Sequence, residues 1–146
     1  MVEQFLENLY NQYQDLNITI LRYFNPIGEH PSGLLKDTGE DNLYPNIRKC
    51  LQNNTPLAIY GNDYPTPDGT CVRDYINIEK LVEYHALFIN KQGFDVFNIG
   101  TGIGKSVLEI VSEFPELKYI IEPRRTGDVA SLVCSITKLE EYQWSM

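Results

Sequence analysis

The residues of this chain able to do chemistry fall into a few short runs. Pro123-Arg-Arg-Thr-Gly-Asp128 carries two arginines and a carboxylate, Val72-Arg-Asp74 a third arginine, and Gly100-Thr-Gly-Ile-Gly-Lys-Ser106 a glycine loop ahead of an apolar stretch. There are also three cysteines, two histidines and ten tyrosines. Arginine is suited to phosphate because its planar guanidinium offers paired donors, and one or two such groups can hold a phosphate inside a protein that is acidic overall. The other runs are weaker than they look. A phosphate loop needs four residues between its first glycine and Gly-Lys-Ser, which would require glycine at Ile99. The dinucleotide pattern G-x-G-x-x-G fails as well, because Lys105 stands at its third glycine. A tight turn into a helix is the expectation for this loop. His30 and His85 have no cysteine or carboxylate at metal-ligand spacing, so no metal is expected. None of the ten tyrosines is followed four positions later by lysine, so no Tyr-x-x-x-Lys acid-base pair is present. Cys50, Cys71 and Cys134 form no CxxC pair and suit buried thiols in a reducing compartment.

The whole composition sets further limits. With 146 residues, 42% hydrophobic, the chain is near the size of one domain. Its formal charge of -8 repels polyphosphate backbones, so no nucleic-acid partner is expected. No run approaches the ~20 apolar residues of a membrane span, and Met1 to Tyr10 lacks a signal-peptide layout, so the expected location is cytoplasmic, without membrane association.

The elements that must position these residues follow from periodicity. Val2, Phe5, Leu6, Leu9, Tyr10 and Tyr13 make a helical stripe over 2–13. Residues 17–24 read as a strand apolar enough to be buried on both faces of a parallel sheet. A loop over 25–41 precedes a helix from about 42 to 52, with Leu43, Ile47, Cys50 and Leu51 inward. Short strands at 56–60 and 70–78, flaps around a pocket, flank a long turn. A helix over 79–91 should bury Leu81, Val82, His85, Phe88 and Ile89, and a strand at 94–99 leads into the glycine loop. Ser106 with Glu109 three residues on predicts a capping box. A strand near 117–121, the Pro-Arg-Arg turn and a short helix complete an α/β alternation. The strands at 17–24 and 94–99 look like pieces of a larger sheet whose middle is absent.

Four stretches carry a closer likeness: LRYFNPIGEHPSGLL (21–35), NDYPTPDGTCVRDYINI (62–78), FNIGTGIGKSVLEIV (97–111) and PRRTGDVAS (123–131). In this order they resemble UDP-galactose 4-epimerases of the extended short-chain dehydrogenase/reductase superfamily, across nearly the whole chain. NDYPTPDGT before VRDYI is the most specific piece, because dehydratases and decarboxylases of that superfamily usually carry a shorter Gly-Asp-Gly turn.

The resemblance implies a UDP-hexose ligand, and implies roles position by position. Arg73 and Arg125 match the diphosphate arginines, Asn25 and Asn42 the amide donors, and Asp128 the carboxylate that accepts from ribose hydroxyls. Leu43, Ala58 and Tyr60 match the uracil pocket, Leu132 the position that sets the size of the hexose pocket, and Phe24 the one place that would meet an NAD nicotinamide. Each also has an ordinary structural reading, Arg73 in a salt bridge and Asp128 in a turn; for Arg124 that reading is the stronger. The expected fold is α/β, the C-terminal substrate-binding part of an NAD-dependent epimerase, with 17–24 and 94–99 as leftover Rossmann strands in one incomplete domain. NAD is the implied cofactor, yet most of its site, with Tyr-x-x-x-Lys, belongs to an N-terminal Rossmann core that these residues do not match. No catalytic residue is therefore expected here, and no turnover by the chain alone. A separate chain supplying the Rossmann half, a homodimer, a non-catalytic UDP-sugar-binding module and a truncated gene product all stay open.

Overall fold

The structure is a computed structural model and describes residues 1–34, 37, 39 and 42–144. Helix α1 (Val2–Gln12) leads to β1 (Ile18–Tyr23) and β2 (Asn25–Ile27), followed by α2 (Leu43–Asn53), β3 (Leu57–Tyr60), β4 (Val72–Asn77) and α3 (Ile78–Phe88). Then come β5 (Phe94–Ile99), β6 (Gly104–Ser106), α4 (Val107–Ser112), β7 (Tyr119–Glu122), β8 (Ser131–Leu132) and α5 (Thr137–Trp144). The α/β alternation read from periodicity is present. Among the described residues no helix is long and apolar enough to cross a membrane.

The strands form three small groups. The β-branched strand β1 pairs in parallel with β5, from Ile18 opposite Phe94 to Tyr23 opposite Ile99. Strand β4 is a hub: its second half pairs in parallel with β2, and its first half lies between antiparallel β6 and parallel β8. Strand β3 pairs in parallel with β7. Two cores result. Leu81, Tyr84 and Phe88 of α3 pack on Phe97 and Ile99 of β5, with the Phe88 and Phe97 rings stacked at 4.4 Å. Ile47 of α2, Leu57 and Ile59 of β3, and Ile110 and Val111 of α4 make the second.

Several expectations need correction. Residues 25–27, placed in a loop, form β2; Pro26 has no N–H to donate, which a short edge strand tolerates. Strand β4 is the centre of its sheet rather than a flap. In α3 the buried face is Leu81, Tyr84 and Phe88, while Val82, His85 and Ile89 are exposed. The helix turns its Leu81–Tyr84–Phe88 stripe toward β5, and an apolar pattern alone does not fix that phase. Strand β1, expected to be covered on both faces, has no fully buried residue, and β5 is its one strand partner among the described residues.

The capping box is present as read: Ser106 Oγ accepts from Glu109 N at 2.9 Å and Glu109 Oε2 accepts from Ser106 N at 2.6 Å. All three cysteines are free, with Cys71 and Cys134 buried and Cys50 half-buried. Burial, and then the Asp74 charge, push the Cys134 thiol up to about 11, so it is a neutral apolar group at pH 7.

Candidate functional site

The PTPDG turn and the glycine loop, which look most like ligand loops, are built around two buried or half-buried carboxylates. Asp74, with no exposed surface, accepts from Thr101 N at 2.8 Å, Thr101 Oγ1 at 2.7 Å, Gly102 N at 2.8 Å and Cys134 N at 3.2 Å. The glycine loop thus spends its amides on an internal anion, which is a second reason, beyond spacing, that it does not cradle a phosphate. Gly100 has to be glycine, since a Cβ there would stand 2.7 Å from Asp74 Oδ2 and 2.5 Å from Cys134 Cβ. Asp68 accepts from Thr70 N and Thr70 Oγ1, each at 2.8 Å, and from Ser106 Oγ. Burial acts to raise its pKa, but the hydrogen bonds from Ser106 and Thr70 outweigh it and hold the carboxyl below the ordinary value of 3.8. These contacts tie the long turn, β6 and the start of α4 to β4.

Beside this frame opens a cavity of about 790 Å³, large enough for a nucleotide-sized ligand. The junction of β1 and β2 brings Phe24 and Asn25 to it, the N-cap and first residue of α2 bring Asn42 and Leu43, and β3 brings Ala58 and Tyr60. Arg73 from β4, with Arg125 and Asp128 from the turn after β7, closes the wall. Nine of the ten residues named from sequence therefore line one cavity, although they come from across the chain. Leu132 is the tenth; it lies opposite Arg73 in the β4–β8 pairing, half of its surface is exposed, and it is not among the lining residues.

The charges are arranged for an anion. Arg73, little exposed, donates from Nη1 to the carbonyls of Val72 and Val129, both at 2.8 Å, and its Nη2 stands 3.9 Å from Asp128 Oδ1. Arg125 donates from Nε to Asp128 Oδ2 at 3.1 Å, and its guanidinium lies 4.5 Å from the centre of the Tyr60 ring. Asp128 thus holds two guanidiniums together, and the aromatic face of Tyr60 keeps the more exposed one at the cavity. Arg124 turns away: its guanidinium covers the Tyr64 ring at 4.0 Å and donates to the Asp63 carboxylate at 2.6 Å, the structural role expected of it.

The remaining amides have different surroundings. Asn42 precedes α2, donates to Asp37 Oδ2 at 2.7 Å and makes no side-chain cap. Asn25 is half-buried opposite Tyr75 in the β2–β4 pairing. Phe24 N donates to Ile99 O at 3.0 Å, fixing the end of β1 beside the cavity.

Sequence reasoning passed over Tyr44, Lys49, Cys71 and Tyr75, which also line the cavity. Tyr44 and Tyr75 meet edge to face at 6.5 Å, and burial pushes the Tyr75 hydroxyl up to about 12, so it stays protonated. The signal for Lys49 lay on the polar face of α2, where a lysine reads as ordinary solvation.

The chain is thus an α/β protein in which internally satisfied loops frame a cavity walled by paired arginines. The family described as NAD dependent epimerase/dehydratase matches residues 1–100, and the chain belongs to that family. A UDP-glucose 4-epimerase of Yersinia pestis is 43% identical over 97% of this chain and 46% of its own length, and one of Bacillus subtilis is 40% identical over 99% and 47%. Among solved structures, a UDP-glucose-4-epimerase from Stenotrophomonas maltophila with bound NAD and formylated UDP-arabinopyranose superposes with a TM-score of 0.88 at 36% identity, covering 96% of this chain and 46% of that one. A Bifidobacterium longum UDP-glucose 4-epimerase in complex with NAD+ and UDP gives 0.83 at 37% identity, covering 95% and 45%. The chain thus spans a little under half the length of the relatives it matches.

Proposed function

We propose that this chain is the UDP-sugar-binding half of a UDP-glucose 4-epimerase. The observation that carries the reading is the convergence of Asn25, Asn42, Leu43, Ala58, Tyr60, Arg73, Arg125 and Asp128 on one cavity. Two negative charges on a diphosphate need cations and donors aimed at their oxygens once they leave water. Arg73 and Arg125, held side by side by Asp128, supply them. The uracil ring would lie against Leu43, Ala58 and Tyr60, and the sugar would extend toward Phe24 and Asn25. Leu132 is read as the residue bounding the hexose.

The residues present do not fit NAD. By the family resemblance Phe24 alone would meet the nicotinamide, and the glycine loop gives the amides of Thr101 and Gly102 to Asp74. Hydride transfer and removal of the sugar O4 proton are therefore assigned to residues outside this sequence, supplied in the same polypeptide or by a second chain. UDP titrated into the folded chain in a calorimeter should bind, and Arg125→Ala should weaken binding by roughly 10-fold or more, as loss of a charged hydrogen-bond donor predicts. A folded chain that takes up no heat from UDP would reject the reading. Mixing with an NAD-bearing half should then restore interconversion of UDP-glucose and UDP-galactose.

A further inference from the structure

The cavity wall departs from the charge balance of the rest of the chain. A protein with a formal charge of -8 lines this cavity, among the described residues, with three cations, Lys49, Arg73 and Arg125, against one carboxylate, that of Asp128. Both arginines are already engaged with Asp128, at 3.9 and 3.1 Å. Lys49 has no carboxylate within ion-pair distance among the described residues. Its neighbour Arg48 turns elsewhere, to Glu29 at 2.7 Å. The placement follows from the helix: Asn42, Asn46, Lys49 and Asn53 recur at helical spacing along the cavity face of α2, while Ile47 of the same helix is fully buried in the core.

We infer that Lys49 is a third cation for the anionic part of the nucleotide, recognising phosphate oxygens from the wall formed by α2. This inference rests on the UDP-sugar reading of the cavity. A lysine suits the task because its ammonium is a point charge on a flexible stem that reaches roughly 6 Å from the backbone and needs no fixed fork geometry. It also complements the arginines, whose positions are set by Asp128 and the Tyr60 ring. A cation held near phosphate without a competing carboxylate contributes its full attraction on ligand binding, since no internal ion pair has to be broken first. Because the Lys49 side chain is exposed and has no hydrogen bond or ion pair among the described residues, its replacement leaves the helix intact.

The test compares UDP and uridine binding to the whole chain, measured by calorimetry for the wild type, Lys49→Gln and Lys49→Arg, with thermal unfolding as a check on folding. Lys49→Gln should weaken UDP about 5-fold to 10-fold, leave uridine unchanged, and flatten the dependence of UDP affinity on salt. Lys49→Arg should restore most of the UDP affinity. If the wild type binds UDP and Lys49→Gln binds it equally well, or if uridine and UDP weaken together, the inference is overturned while the UDP reading stands. If the folded wild type binds no UDP, both fail; if the wild type binds UDP and Arg125→Ala weakens it, the UDP reading holds whatever Lys49→Gln does.

Discussion

The two ends of the molecule are built on opposite terms. Around β4 every internal charge is answered from within the chain: Asp74 is fully buried with four hydrogen bonds, and Asp68 takes three from Thr70 and Ser106. Around β1 the apolar surface is left open. Helix α1 buries no residue, Phe5 is 62% exposed, and on the adjoining α3 Val82 and Ile89 are 60% and 79% exposed. Tyr23, at the end of β1, donates to His85 Nε2 at 2.6 Å, because His85 Nδ1 is committed to the Leu81 carbonyl at 2.8 Å. The difference teaches that the ligand-side half of the chain is self-contained, whereas α1 and β1 carry an apolar stripe and a strand edge of the kind that another element covers in a larger sheet.

The contrast is tested most sharply at Asp74. Replacing it with alanine removes a fully buried acceptor from four donors and should cost about 3–5 kcal/mol of stability by urea unfolding. A loss under ~1 kcal/mol would mean that the glycine loop is held by something else. Ser106→Ala removes both the helix cap and a partner of Asp68, and about 1–2 kcal/mol should go with it.

That second variant has a pH signature. The Asp68 carboxyl is held below 3.8 in the folded chain, so its contribution is complete above that value and disappears as pH falls through the folded pKa. The stability gap between wild type and Ser106→Ala should therefore be widest near neutrality and narrow below pH 3.8. A gap constant with pH would remove the Asp68 contact from the account. The smallest effect belongs to the open end: Phe5→Ser should change stability by less than about 0.5 kcal/mol, as expected for a surface position, and should reduce self-association in sedimentation. A large loss there would show that α1 is packed, and the comparison between the two ends would fall.

Much of the fold was legible because local rules governed it. The capping box needed only Ser106 and Glu109, and the α2 core face followed from Leu43, Ile47 and Leu51. Where the rules were not local, the reading slipped. The phase of α3 depended on where β5 lay, so Val82, His85 and Ile89 were placed inside and Tyr84 was not. Residues 25–27 became a strand because β4 offers an edge, which no property of Asn-Pro-Ile announces.

By itself the sequence determined the motif order, the failure of the phosphate-loop and metal spacings, and the identities of the residues that resemble a UDP-sugar site, since residue type and spacing decide such matters. Only the tertiary structure decided that Asp128 bridges Arg73 and Arg125, that Arg125 rests on Tyr60, that Asp74 occupies the glycine loop, and that Lys49 stands on the cavity wall with no ion-pair partner among the described residues. Those facts depend on distances between residues up to 65 positions apart, as Tyr60 and Arg125 are. Chain folding sets such distances, and spacing along the sequence does not.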